Sequence, residues 1–388
     1  MNKPDNYKLT SEQHAAVLGE VLQESFAGLT PASKPRAIFT GGQPGSGKSK
    51  VAEQAMRDLG NNAVRSDADE MRPYHPDYSR LLKSGVKEAA DLVHADAAQW
   101  ASELRREAQR RRFNIIIDGT MRDPVAIATV AQSLRDDGYV VEGRVMAVNE
   151  LVSTMHIHKR YEAQMEAQGV GRFATKEQHD RAFTALPMSL EALERNRSID
   201  QLTIYNRDGA PIYANALQAG RWREIPAARQ ALEIERTRGM TKEEKQDLAQ
   251  DWGGVVKQAK ARGAPEAELR SLTTLAQGEL AKAATHGRGQ GRAYEKLFAT
   301  PEQMRRQPSL IGKYASLTAM QEGTKRQTLE HVHSQLSKMT SNLAAVKEAQ
   351  ARAARAAANK KAKGKTAGET KKEPAPKPAK GKDNDYDR

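Results

Sequence analysis

The sequence predicts an α/β protein: a mostly parallel sheet with helices on both faces, followed by an all-helical C-terminal region and a disordered basic tail. Three observations lead there. Short apolar, β-branched stretches alternate with helical segments over roughly the first half of the chain, the pattern of parallel strands joined by covering helices. The run from Gly42 to Ser49 fits G-x-x-x-x-G-K-S/T at every fixed position and lies between one such stretch and a helix. Beyond Pro226 the composition turns to Ala, Lys, Glu, Gln and Arg, which favours helix and then disorder.

The elements follow in order. Thr10-Ser11-Glu12-Gln13 reads as a capping box ahead of a helix running toward Phe26. Strands are expected at Arg36–Thr40, Ala63–Arg65, Asn114–Ile117, Val140–Val148 and Leu202–Tyr205. The piece from Tyr205 to Tyr213 holds an Asp208-Gly209 turn before a returning strand, so the sheet ends in an antiparallel hairpin. Past Pro226 only helix is expected, broken at Gly253-Gly254, at Gly263-Ala264-Pro265, at Gly287–Gly291 and at Pro301. Leu329, Val332, Leu336, Met339, Leu343 and Val346 step by three and four, a short heptad seam suited to a helical hairpin or to a docking helix. From Asn359 onward the Lys/Ala/Pro/Gly composition cannot bury enough surface to offset chain entropy. The expected domains are residues 1–225, a helical region 226–350 and a tail 351–388.

Composition removes several classes of chemistry. The 388 residues include no cysteine, so disulfides, thiolate zinc sites and thiol nucleophiles are excluded. Net charge is +13, with much of the excess in the lysines from Lys360 to Lys382. Such charge would suit nucleic acid, but aromatic residues make up only 5% of the chain and do not interleave with the basic ones. Nucleic acid is therefore disfavoured as a partner. No apolar run approaches a membrane span.

The chemistry concentrates at the carboxyl ends of the strands, where open α/β sheets bind ligands. Gly42, Gln43, Pro44, Gly45, Ser46 and Gly47 would curl their N–H groups around an anion, aided by the N-terminus of the following helix. Lys48 would reach the β and γ phosphates of a nucleotide triphosphate, and Ser49 would ligate Mg²⁺. After the second strand come Asp67 and Asp69; after the third, Asp118 leads into Thr120 and Arg122. Asp118 suits the metal shell, leaving Asp67 or Asp69 for an acceptor. Arg160 and Arg172 flank an expected mobile loop and would close over the phosphates. His75-Pro76 reads as a turn, and no His/Asp/Glu group has zinc-site spacing.

Taken together, these motifs resemble the zeta toxin family, P-loop kinases of bacterial toxin–antitoxin systems. The resemblance covers roughly residues 8 to 215. It is carried by Gly41–Ser49, by Asp67–Arg72 ahead of His75-Pro76, by Asp118-Gly119-Thr120 with Arg122, by Gly138-Tyr139 before Val145–Val148, by Lys159–Glu162, and by Arg172 before His179-Asp180. It implies a P-loop kinase-like fold and transfer of the ATP γ-phosphate to the 3′-hydroxyl of the sugar in UDP-N-acetylglucosamine, which would block peptidoglycan synthesis. On that resemblance Asp69 is the general base, Lys48, Arg160 and Arg172 stabilise the phosphates, and Ser49 with Asp118 holds Mg²⁺. Asp67, Asp69, Asp118, Thr120 and Arg122 face the acceptor. The family's acidic sugar-binding residue falls at Ser102, so Glu103 beside it is the candidate; Met71 stands where an aromatic residue is common. The resemblance also implies a bacterial cytoplasmic protein with an antitoxin as partner. Left open are another nucleotide-linked acceptor, and an inhibitory, partner-binding or delivery role for the region beyond Pro226.

Overall fold

The computed structural model describes residues 4–285 other than 85 and 87. Within them Thr10 caps the first helix as its sequence requires: its hydroxyl accepts from the Gln13 N–H at 3.2 Å, and Gln13 Oε1 accepts from the Thr10 N–H at 3.0 Å. This helix, α1 (Ser11–Phe26), leads to β1 (Arg36–Gly41), α2 (Lys48–Asp58) and β2 (Ala63–Ser66). The short helices α3 (Ala68–Met71), α4 (Tyr78–Lys83) and α5 (Ala89–Leu92) precede the long α6 (His94–Arg110). Then come β3 (Asn114–Ile117), α7 (Pro124–Asp136), β4 (Val140–Met146), α8 (Glu150–Gln168) and α9 (Lys176–Arg195). The hairpin β5 (Gln201–Tyr205) and β6 (Pro211–Gln218) is followed by a two-residue β7 (Arg221–Trp222) and by α10 (Ala228–Thr237), α11 (Lys242–Ala261) and α12 (Glu266–Thr285).

The seven strands form one sheet in the order β2-β3-β1-β4-β5-β6-β7. Pairings from β2 through β5 are parallel, and β6 and β7 are antiparallel additions. Alternation along β1 assigns its two faces. Ala37 and Phe39 join Trp100, Leu104, Leu134 and Leu186 on one side, whereas Ile38 joins Ile116, Ala52 and Ala55 on the other. Helices therefore cover both faces, as a parallel sheet demands. No described helix is long and apolar enough to cross a membrane.

The expected strands are all present, with β4 ending at Met146 instead of Val148 because Asn149 caps α8, its side chain accepting from the Leu151 N–H at 2.9 Å. The expected break at Gly253-Gly254 is overturned: both glycines lie inside α11. Two helical glycines cost about 1 kcal/mol each, and the buried stripe Leu248, Trp252, Val255 and Ala259 outweighs that. The break at Gly263-Ala264-Pro265 stands between α11 and α12. The heptad seam, the later breaks and the basic tail lie outside the described residues.

The helices beyond Pro226 share a core with the preceding ones. Met240, Leu248, Trp252 and Val255 pack in one cluster with Met146, Val148, Leu151, Val152 and Met155. Arg262, at the end of α11, adds a two-pronged ion pair to Glu162 of α8, at 2.7 and 3.1 Å. Trp252 is only 1% exposed, so Trp252→Ala is expected to destabilise the whole fold by about 3–5 kcal/mol. Chemical denaturation followed by circular dichroism measures it; an unchanged midpoint would mean that α11 is not part of this core.

Candidate functional site

The phosphate loop follows β1 and is drawn tight against α8. A Cβ on Gly45 would come within 2.0 Å of the Ser153 carbonyl oxygen, so no other residue fits there. Gly47 caps α2 in the left-handed region at φ 85°, a conformation that glycine adopts at little cost. His156 Nδ1 lies 3.1 Å from the Gly45 carbonyl oxygen and ties the loop to α8. Inside it, the Ser46 hydroxyl is buried without a hydrogen-bond partner, and an anion seated in the loop would supply one. Lys48 reaches the Gln43 carbonyl at 3.5 Å. Burial pushes its ammonium below the usual value, with Asp118 and Asp69 opposing and Arg160 and Arg172 reinforcing that shift. Ser49, on the exposed first turn of α2, has no hydrogen-bond partner among the described residues.

The carboxylates gather at the ends of β2 and β3. Asp118 is oriented from both sides: Thr40 Oγ1 donates to it at 2.8 Å and Arg65 Nη2 at 2.9 Å. Asp67 caps α3, accepting from the Asp69 N–H at 2.8 Å. Burial, then the neighbouring Asp118 and Asp69, raises its carboxyl to about 7. Asp69 behaves oppositely. Burial would raise it, but Arg172 and Arg72 more than offset that and hold it below the usual carboxylate range. Both arginines form ion pairs with it, Arg72 at 2.8 Å.

Four cations, Arg172, Arg72, Lys48 and Arg160, act on Asp69. Arg72 is 5% exposed and leaves Nε and Nη1 without partners. Arg160, on α8, has its guanidinium lowered by desolvation and by Arg172. Arg172 belongs to the segment between α8 and α9, and its N–H donates to Gln164 Oε1 at 2.8 Å, fastening that segment to α8. A triphosphate would restore the balance. No cluster of three His, Asp or Glu residues able to hold a metal occurs among the described residues. Mg²⁺ is ordinarily carried by substrate phosphates with one or two protein ligands; Ser49 and Asp118 carry the oxygen groups that could serve.

The structure brings together Lys48, Asp67, Asp69, Asp118, Arg160 and Arg172. Thr120 is half-buried and Arg122 exposed on the loop after β3, neither with a partner among the described residues. Two expectations change. Glu103 faces α1, taking His14 Nε2 at 2.9 Å and Gln99 Nε2 at 3.0 Å, so it fastens two helices. The Gln43 side chain is wholly buried and bonds to the Val148 carbonyl at 2.8 Å and Ser153 Oγ at 3.2 Å; it braces the loop and does not face a ligand. Sequence reasoning missed Arg65 and Arg72 as site residues. Arg72 was within reach, because the i, i+3 spacing from Asp69 puts both on one side of a turn. A shallow recess beyond the end of β4 is lined by Val148, Val152, Arg207 and Met240 among others; none of the carboxylates named above borders it.

Asp67 gives the site a pH signature. Folded, it keeps its proton until about pH 7; at its ordinary value of 3.8 it would ionise far earlier. The folded state therefore binds the extra proton between these values, and stability falls as pH rises from about 4 to about 7. Asp67→Asn keeps a capping side chain and is expected to flatten the profile, removing a decline on the order of 4 kcal/mol. Denaturation at stepped pH values measures this; parallel profiles for parent and variant would refute it.

Known proteins similar to this chain fall in one family. The zeta toxin family model matches residues 20–218. Toxin zeta of Enterococcus hirae is 28% identical over 199 residues, 51% of this chain and 70% of that protein. Toxin PezT of Streptococcus pneumoniae is 27% identical over 205 residues, 53% of this chain and 81% of that protein. A solved chain of the PezAT chromosomal toxin–antitoxin system of Streptococcus pneumoniae superposes with a TM-score of 0.55 at 21% identity, over 66% of this chain and 98% of that one. Since the family model spans residues 20–218, more than half of the chain, and takes in the phosphate loop, the aspartates, Arg160 and Arg172, the chain belongs to the zeta toxin family.

Proposed function

We propose that this member of the zeta toxin family is a kinase that moves the γ-phosphate of ATP to the 3′-hydroxyl of the sugar in UDP-N-acetylglucosamine and thereby blocks peptidoglycan synthesis. The observation that supports it most is Asp69 set between Arg72 and Arg172, in the electrostatic neighbourhood of Lys48. A carboxylate beside several cations is what transfer to a hydroxyl uses. Asp69 orients the acceptor O–H and takes its proton. The acceptor oxygen then bonds to the γ-phosphorus as the bond to the β,γ-bridging oxygen breaks and ADP leaves.

A base held below its usual range suits this reaction, because the loose transition state loads little charge on the attacking oxygen until late. Lys48, Arg160 and Arg172 meet the charge spread over the transferred group. Mg²⁺, when bound at Ser49 and Asp118, neutralises phosphate oxygens. Thr120 and Arg122 are assigned to the acceptor, with Asp67 beside them; Glu103, engaged with His14, is not. An antitoxin protein is proposed as partner, after the PezAT system that the solved relative comes from.

Incubation with ATP, Mg²⁺ and UDP-N-acetylglucosamine, followed by mass spectrometry, is expected to yield a sugar heavier by one phosphate. Asp69→Asn is expected to lower the rate at least about a hundredfold, and Lys48→Ala by a similar factor. Full activity in either variant would overturn these roles. Product from a different nucleotide-linked acceptor alone would keep the kinase and discard this substrate.

A further inference from the structure

Arg236, in α10, reaches the phosphate loop from a part of the chain that lies beyond the expected domain boundary. It is 3% exposed. Nη2 donates to Gln43 Oε1 at 2.7 Å, Nη1 donates to the Phe183 carbonyl at 2.8 Å, and the guanidinium lies 4.1 Å from the Phe183 ring centroid. Among the described residues no carboxylate forms an ion pair with it. Burial pushes its guanidinium down to about 9, with Glu233 alone pulling the other way. Removing a cation from water costs several kcal/mol when only neutral acceptors receive it, so the position is an expensive one to maintain for packing alone.

What Arg236 holds is the loop itself. Gln43 passes the contact on to the Val148 carbonyl and to Ser153 Oγ, which also meets His179 Nε2 at 2.8 Å. The Gln43 carbonyl is the acceptor for Lys48 Nζ. We propose that Arg236 is a positioning residue of the nucleotide site: by gripping Gln43 from behind, it fixes the curl of the phosphate loop and places a positive charge at its back. A triphosphate in the loop would compensate that charge. The proposal rests on the ATP-kinase reading and adds to it a residue outside the stretch that the family model matches.

The test is Mg-ATP binding by the full chain, measured by titration calorimetry at a temperature where circular dichroism shows every variant folded. Arg236→Met is expected to raise the dissociation constant about tenfold. Arg236→Lys, which keeps the charge but loses the fork, should recover part of the loss. Gln43→Leu combined with Arg236→Met should cost less than the losses of the two single variants added together, since the two share one interaction. A merely structural role would not produce this coupling in the nucleotide constant. Absence of Mg-ATP binding by the parent chain would sink the kinase reading itself. Binding by the parent and equal binding by folded Arg236→Met would overturn the positioning role. If Arg236→Met does not fold, Arg236→Lys decides: an unchanged constant overturns the proposal.

Discussion

The pairing of Asp69 with Arg72 and Arg172 is the interaction on which the site depends. It joins the turn after β2 to the segment between α8 and α9, 103 residues along the chain. Without it, Arg72, Arg160 and Arg172 would repel one another around Lys48, in a part-buried setting where such charges are poorly screened. Asp69 reduces the excess without removing it. What remains, two unpartnered nitrogens on Arg72 and a guanidinium on Arg160 lowered by burial and then by Arg172, is a setting that favours an anion. The phosphate loop beside it presents the matching place.

Rigidity of that loop comes from three directions. Gly45 presses against α8 at Ser153, His156 fixes the Gly45 carbonyl, and Gln43 is gripped by Ser153 and, through α10, by Arg236. The same α8 carries Arg160 and supports α11, whose Trp252 shares a core with Met155. The helices beyond Pro226 are thus continuous with the frame that orients the loop. Preorganisation of this kind is how a site for charge transfer is effective, since donors that are already aimed need no reorganisation at the moment of reaction.

Legibility in the sequence divided along local and distant lines. The strands, the capping box at Thr10, the Asp208-Gly209 hairpin and the loop from Gly42 to Ser49 are written in neighbouring residues, and the structure realises each of them. Features set by packing were not legible. Gly253 and Gly254 look like a break until α8 supplies a surface that buries Trp252. Gln43 looks like a ligand contact until its partner Arg236, 193 residues away, is placed. Glu103 looks like a sugar contact until α1 brings His14 against it. The two-strand pair β6–β7 likewise depends on a turn at Ala219-Gly220, both at positive φ, which carried no strong signal.

One triphosphate is expected to engage both the phosphate loop and the arginine segment that pairs with Asp69. Hydrogen exchange followed by mass spectrometry, with and without Mg-ATP, tests it most directly. Slower exchange in residues 42–52 together with a change in residues 169–176 is the expected result. Protection confined to the first segment would leave Arg172 outside the nucleotide site, and no protection in either would contradict the claim outright.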